Sequence, residues 1–481
     1  MALKIMKFLT VFVFFATRLA LGTNQPNIVF AIADDWGWPH ASAYGDTGIK
    51  TRTFDRLAKE GVLFENAYIS SPSCTPSRGA IITGQQFWRL RQGGNLWSIW
   101  PSGIPEYPEI LAKNGYFVGS YRKGWGPGRH PYSATNPAGK RYSTVDEFFE
   151  ARPADSAFCL WFGTGDPHRP YAPGNGIRSG IDPSEVHLFE HYPDVREIRS
   201  DIADYYWEIE RFDREVGTLI RRLEKMGELD NTIIVMTSDH GMPFPRAKAN
   251  LYDAGTRIPL VIRWPVRIPP GRRVTDFVSA TDLAPTFLEA AELSAPENMT
   301  GQSLLALLTS NGSGRIETAR NHIFFGMERH VPAQEAPDSG GYPMRGIRTD
   351  KYLYIRNFEP GRWPAGTPNY SKAFIQNGWL AACDNGPTKW YLWLHRNDSE
   401  VKRYYDLAFG TRPAEELYDL KKDPAQVNNV AGNKEYRSIK KDLAIRLFEN
   451  LDATGDPRVQ GRGKFFDLQP YLGQGPIYPN Q

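Results

Sequence analysis

Three short runs in this chain combine residue types that do chemistry. The first is Ser73-Cys74-Thr75-Pro76-Ser77-Arg78-Gly79, a thiol, a proline, a serine and an arginine ahead of the apolar Ala80-Ile81-Ile82. The order reads as a turn that delivers one reactive side chain to a helix N-terminus, where free backbone N–H groups and the helix dipole gather anions. Arg78, one turn on, adds a planar fork of donors. Taken alone, Cys74 also fits a small buried thiol. The other two runs are Asp34-Asp35 and Asp239-His240. Adjacent side chains diverge in a strand, so both members of a pair face one point only where the strand frays, and a hard cation rewards that arrangement. Each pair by itself fits a solvated turn or a helix cap equally well.

The elements around these runs place them. Pro26 to Ala33, Thr232 to Thr237, Ala157 to Phe162 and Tyr116 to Tyr121 are continuous apolar stretches, the pattern of strands buried on both faces of a parallel sheet. They end at Asp34-Asp35, at Ser238-Asp239-His240-Gly241, at Gly165-Asp166-Pro167-His168 and at Arg122-Lys123-Gly124-Trp125. Open α/β sheets bind ligands outside the carboxyl ends of their strands, so the four clusters are expected to converge. Between them, Ile202, Tyr205, Tyr206, Ile209, Phe212, Val216, Leu219, Ile220 and Leu223 recur at helical spacing, which predicts a helix over 199–226 packed on the sheet. Strands alternating with helices to about residue 300 predict a doubly wound α/β domain. After about 320 the texture changes. Met344 to Ile355 reads as two short strands around a turn, Glu415 to Leu420 as another, and a helix follows near 434–450, so a small antiparallel sheet with one covering helix is expected. The tail from Gly461, rich in Gly, Pro and Gln, is expected to wrap the surface or stay poorly ordered.

With 481 residues the chain suits two or three domains. A net charge of +3 is too mild to imply a nucleic-acid partner. Lys4 and Lys7, then Phe8 to Ala16 and a small-x-small site at Ala20-Leu21-Gly22, read as a secretory signal peptide over 1–22, too short to span a membrane. No other stretch is long and apolar enough to span one, so an exported protein is expected. Its three cysteines are too few for a disulfide framework, and Cys159 and Cys383 are read as free thiols.

The Cys74 run resembles the Cys-x-Pro-Ser-Arg signature of the type I sulfatases. The resemblance extends through PNIVFAIADDWG at the first strand, Asp166-Pro167-His168, Ser238 to Gly241, Leu251 to Leu260, Glu416 to Leu420 and Lys422-Asp423-Pro424. The stretches DPHRPY and SDHGMPFPRAKANLY are most similar to the heparan N-sulfatase (sulfoglucosamine sulfohydrolase) branch and to bacterial polysaccharide sulfatases. The resemblance implies an alkaline-phosphatase-like fold: an N-terminal catalytic domain over 23–320 with a doubly wound mixed sheet, and a smaller C-terminal α+β subdomain and tail over 321–481. It implies that Cys74 is oxidised to formylglycine by a maturation enzyme outside the chain. It further implies that Asp34, Asp35, residue 74, Asp239 and His240 hold Ca²⁺, a mostly oxygen set that suits calcium better than zinc.

The same resemblance assigns roles for hydrolysis of a sulfated poly- or oligosaccharide. The hydrated aldehyde at residue 74 is the nucleophile, with Asp239 its proton acceptor and Arg78 holding it. Lys123 and Lys248 clamp the sulfate, and His168 protonates the leaving atom. One position departs from the family. Sulfatases commonly carry Lys-x-His here, with that histidine assisting the final breakdown step, whereas residue 125 is Trp; either His130, five residues on, takes its place or the loop is rebuilt around a different substrate. Trp36, Trp38, Trp97, Trp100 and Trp125 are read as aromatics near the site that suit sugar rings. An N-sulfoglucosamine sulfamidase, a phosphoester hydrolase of the same superfamily and a non-catalytic glycan-binding relative stand as the alternatives.

Overall fold

A computed structural model describes residues 25–478 of the chain. The signal-peptide expectation falls outside these residues. Eight strands form one mixed sheet: β1 (Asn27–Ala33), β2 (Val62–Tyr68), β3 (Phe117–Arg122), β4 (Lys140–Tyr142), β5 (Phe158–Gly163), β6 (Thr232–Ser238), β7 (Leu260–Arg263) and β8 (Arg272–Ser279). Their order across the sheet is β8-β2-β7-β6-β1-β5-β3-β4, and β7 alone runs antiparallel to its neighbours. Four apolar runs of the sequence are thus β6, β1, β5 and β3, four parallel neighbours at the sheet centre. Their pairing in register, with Ala33 opposite Ser238 and Arg122 opposite Gly163, brings all four carboxyl ends to one edge.

The two faces of β1 explain its unbroken apolarity. Val29, Ala31 and Ala33 enter one core with Ile202, Tyr205 and Ile209 of the helix Arg196–Met226. Ile28, Phe30 and Ile32 enter another with Leu283 and Phe287 of the helix Leu283–Ala290. Helices on both faces make this the doubly wound sheet that the strand pattern predicts. The helix starts at Arg196, three residues before the predicted 199, and its burial begins at Ile198, four residues ahead of the apolar stripe.

A second sheet of four antiparallel strands follows: β9 (His322–Met327), β10 (Met344–Thr349), β11 (Tyr352–Asn357) and β12 (Glu415–Asp419). Ile323, Phe325 and Met327 of β9 pack on Tyr68 and Phe277 at the edge of the large sheet. Ile347, Tyr354 and Leu417 face the opposite way, onto Leu443, Leu447 and Leu451 of the helix Arg437–Ala453. Between β11 and β12 the chain makes an excursion that contains the helices Pro387–Leu394 and Lys402–Phe409 and has its own small core around Trp379, Leu380 and Leu392. The tail wraps as expected: Phe466 is fully buried, and Tyr471 and Gln474 to Pro476 reach the cleft described below. Cys74, Cys159 and Cys383 are all buried and free. No helix among the described residues is long and apolar enough to cross a membrane.

Candidate active site

At the edge where β6, β1, β5 and β3 end, a cleft of 970 Å³ opens, floored by Asp34 and Cys74. β1 breaks there. Asp35 takes a left-handed backbone conformation, φ 81°, which turns its side chain to the same side as that of Asp34. Side chains and backbone of the neighbouring strand ends fix the break: Asp34 N–H donates to the Asp166 carbonyl at 2.9 Å, Asp35 N–H to Asp239 Oδ1 at 3.0 Å, and Trp36 N–H to Ser238 Oγ at 2.7 Å. Glycine is needed twice because backbones approach closely. A Cβ at Gly163 would overlap the Lys123 carbonyl, and one at Gly241 the Ala254 carbonyl.

Cys74 is the first residue of the buried helix Cys74–Thr83, with Ser73 extended before it. The helix start is pinned on both sides: Thr75 Oγ1 donates to the Pro127 carbonyl and Ser77 Oγ to the Asp239 carbonyl, each at 2.5 Å. Sγ of Cys74 lies 3.3 Å from His240 Nε2 and 3.7 Å from Asp34 Oδ1. Burial pushes the thiol far above its usual range, with Lys123 opposing too weakly to reverse the shift. A thiol so placed is protonated at neutral pH and is a poor nucleophile as it stands.

Arg78 makes no hydrogen bond to Cys74. Its guanidinium is fully buried and ties the floor together, with Nε donating to Asp239 Oδ2 at 2.7 Å and Nη1 to the carbonyls of Lys123 and Gly124 at 3.1 and 3.0 Å. Although burial raises the Asp239 carboxyl, Arg78 above all, with Lys123, holds it well below the usual carboxylate range. A carboxylate so stabilised is a better ligand than proton acceptor. Lys123 Nζ spans both oxygens of Asp34, at 2.5 and 2.6 Å. Lys248 Nζ donates to Asp35 Oδ2 at 2.8 Å and to Asp384 Oδ2 at 2.9 Å. Burial lowers both ammonium groups, but Asp34 beside Lys123, and Asp35 with Asp384 beside Lys248, keep them charged and raised.

These residues fit a cation. Nδ1 of His240 lies 3.1 Å from the Gly241 carbonyl, which can only accept, so Nδ1 carries a proton, and the ring in its neutral form offers the Nε2 lone pair that a metal ligand needs. That nitrogen is 3.1 Å from Asp35 Oδ1, a buried oxygen with no hydrogen-bond donor. Two buried acceptors facing each other are costly unless something positive joins them. Asp35, Cys74 and His240, and separately Asp34, Cys74 and Asp239, each bring ligand atoms within 4.8 Å of one another.

His168 stands at the mouth of the cleft, side chain 36% exposed, with Nε2 4.0 Å from Asp35 Oδ2 and Nδ1 2.5 Å from the Arg169 carbonyl. The structure therefore brings together all nine residues singled out in the sequence: Asp34, Asp35, Cys74, Arg78, Lys123, His168, Asp239, His240 and Lys248. It does not bring His130, which lines a separate cavity behind Trp100. Nor are all five tryptophans at the site. Trp97 and Trp125 line the cleft, whereas Trp36 is core against Phe54 and Phe212, Trp38 lies under Arg257, and Trp100 packs edge-on behind Trp125. Trp125 Nε1 donates to the Thr75 carbonyl at 3.2 Å, so this ring buttresses the helix start.

Two further cleft residues were not singled out in the sequence. His330, just beyond β9, places Nδ1 2.9 Å from Ser73 Oγ, and burial together with nearby Lys248 lowers it to about 3. Asp384 arrives on the excursion between β11 and β12. No periodic pattern marks either segment, and only the conjunction Cys383-Asp384 hints at the second.

Comparison with known proteins agrees with this geometry. A family model described as Sulfatase matches residues 26–137 and 130–293, and one described as N-sulphoglucosamine sulphohydrolase, C-terminal, matches residues 243–363. An ulvan-active sulfatase of Formosa agariphila is 29% identical, over 90% of this chain and 81% of that protein. Human N-sulphoglucosamine sulphohydrolase is 27% identical, over 92% of this chain and 94% of that protein. Among solved structures, one in complex with its substrate D-glucosamine-2-N,6-O-disulfate shares the fold, with a TM-score of 0.64 and 22% identity, covering 90% of this chain and 99% of that one.

Proposed function

The chain belongs to the sulfatase family, and we propose that it is an exported, calcium-dependent enzyme that removes sulfate from a sulfated poly- or oligosaccharide. The observation that carries this reading is the meeting of Cys74, three carboxylates and a histidine lone pair between two clamping lysines. Asp34, Asp35, Asp239, His240 and residue 74 would hold Ca²⁺, which when bound supplies positive charge for a nucleophilic oxygen and a sulfate oxygen. The buried, protonated thiol supports conversion of Cys74 to formylglycine by a separate maturation enzyme, since the encoded side chain is inert where it sits.

The rest falls to side chains the structure places. Lys123 and Lys248 both line the cleft and bind the sulfate oxygens, exchanging part of their contact with Asp34 and Asp35 for the substrate's charge. Arg78 acts through Asp239 and the backbone of Lys123 and Gly124, keeping the floor rigid. His168, with Nδ1 occupied by the Arg169 carbonyl, points Nε2 toward the leaving atom and can protonate it. Asp239, bound to Arg78, serves as ligand and orienting group. For the histidine missing at 125, His330 rather than His130 is the further imidazole that lines the cleft beside His168.

The match to the sulphoglucosamine C-terminal model and the likeness to the human enzyme support N-sulfoglucosamine as one substrate, and the ulvan-active relative supports a sulfated polysaccharide. Sulfate release from N-sulfoglucosamine, heparan fragments, ulvan oligosaccharides and 4-nitrophenyl sulfate, beside 4-nitrophenyl phosphate, tests both. The protein is co-expressed with a formylglycine-generating enzyme, residue 74 is read by peptide mass spectrometry, and Cys74→Ala is the control. Release from sulfate esters with aldehyde at residue 74 is expected. Turnover confined to the phosphate ester, or full activity with unmodified thiol, overturns the reading.

A further inference from the structure

Asp384 is an anomaly in a cleft built for an anion. Arg122, Lys123, Arg141 and Lys248 give its walls positive charge, and among the described residues the one other carboxylate lining it, Asp34, has both oxygens held by Lys123. Asp384 gives one oxygen, Oδ2, to Lys248 at 2.9 Å, and among the described residues nothing donates to Oδ1. The side chain is 18% exposed, so this free oxygen meets the cleft. Although burial raises the carboxyl, Lys248 above all, with His168 and His330, holds it well below the usual range, and it stays ionised.

The backbone that carries Asp384 is held in place with unusual thoroughness. Lys389, fully buried, donates from Nζ to the carbonyls of Trp379, Leu380 and Cys383 at 2.6, 3.1 and 2.7 Å and to Asn385 Oδ1 at 2.8 Å. One ammonium group thus gathers the loop on both sides of residue 384. Thr388 then binds Asp201 Oδ2 through its N–H at 3.1 Å and its hydroxyl at 2.6 Å. Asp201 also receives both terminal nitrogens of Arg169, at 2.8 and 2.7 Å, so one carboxylate ties the Asp384 loop to the residue after His168. A surface loop needs no such anchoring; a group that must keep a fixed distance from a reacting centre does.

Resting on the sulfatase reading, we propose that Asp384 is a specificity-determining residue: its free oxygen accepts hydrogen bonds from a hydroxyl or amine on the sugar ring that carries the sulfate. With sulfate on Lys123 and Lys248, the ring leaves the floor past Asp384, because that residue shares Lys248 with Asp35. The carboxylate attracts neutral or cationic donors there and repels a second sulfate or a uronate carboxylate at the same position. The class selected is a saccharide with an unmodified hydroxyl or amine next to its sulfated position.

Binding to the Cys74→Ala protein tests this without turnover. The probes are N-sulfoglucosamine and ulvan oligosaccharides, of which the tighter is carried forward, and 4-nitrophenyl sulfate, which has no donors near its sulfate. Asp384→Asn keeps the shape and removes the charge. Loss of a charge-assisted hydrogen bond predicts that the ratio of saccharide to aryl-sulfate affinity falls about 10- to 100-fold. Equal loss for both ligands would assign Asp384 to positioning Lys248 alone, and so overturn the inference, as would an unchanged ratio. It is equally overturned if neither saccharide binds the Asp384-intact protein more tightly than the aryl sulfate. Turnover of 4-nitrophenyl sulfate by the mature wild-type enzyme reports separately on the sulfatase reading, so either can fail alone.

Discussion

The opposed acceptors at Asp35 and His240 predict how the fold responds to calcium. Asp34, Asp35 and Asp239 bring three carboxylates to the floor, and His240, in its neutral form, directs a lone pair at the donorless Oδ1 of Asp35 from 3.1 Å. A divalent cation that binds only the folded arrangement stabilises it by RT ln(1 + [L]/Kd), about 2.7 kcal/mol at a hundredfold excess over Kd. For a chain of 481 residues the unfolding entropy scales to about 1 kcal/mol per kelvin, so Tm rises about 3 °C at that concentration and about 1.4 °C for each further decade. The assay is thermal unfolding after chelation, with calcium returned stepwise and magnesium as the comparison, since magnesium demands near-octahedral geometry and sheds water reluctantly. Asp35→Asn is the matched variant. Lys248 orients the amide, donating to its carbonyl in place of Oδ2, which turns the NH₂ toward His240 Nε2 and fills the gap with a hydrogen bond. The calcium-dependent rise should then vanish. A wild-type Tm that stays flat from micromolar to ten-millimolar calcium, or an Asp35→Asn protein that keeps the full slope, refutes the reasoning about the facing acceptors.

His168→Ala should lower kcat on a sulfated saccharide about 100-fold or more, because an alkoxide or amine must be protonated as it leaves, and the loss on 4-nitrophenyl sulfate should be much smaller; steady-state rates on the two substrates decide it. Acid stability should depend on Glu416, which is buried and receives the hydroxyls of Tyr252 and Tyr418 at 2.7 and 2.6 Å and Asn357 Nδ2 at 2.8 Å. Burial opposes ionisation, but Arg412, with these donors, holds its carboxyl below the usual value. A depressed folded-state value means that the stabilisation is complete above about pH 4.3 and is lost as pH falls through the folded-state value. Glu416→Gln should therefore flatten the acid limb of a Tm-versus-pH curve and lower Tm at neutral pH.

Much of the catalytic sheet is legible because strands buried on both faces leave an unbroken apolar signature and polar ends. Asp34, Lys123, His168 and Asp239 were each readable in the polar cluster that follows such a run. Other features were not. Trp36 and Trp125 stand at comparable strand ends, yet one ring fills the core beside Phe212 and the other walls the cleft, a difference made by what packs against each. His130 lies five residues from Trp125 and looks like a local replacement, but Trp100 screens it from the site. His330 and Asp384 lie beyond the range of local pattern. Contacts across more than a hundred residues place them, through Ser73 and Lys248.

The amino-acid sequence by itself determined the parallel centre of the sheet and the edge where its polar ends gather, and it marked Cys74 as a candidate at a helix-opening turn, since burial periodicity and such a turn are local properties of the chain. Tertiary structure decided which of those polar groups oppose one another without a donor, that Arg78 serves Asp239 rather than Cys74, and which residues of the C-terminal region close the cleft. The reason is physical: hydrogen-bond satisfaction, burial and charge pairing are set between segments distant in sequence, and no periodicity along the chain encodes them.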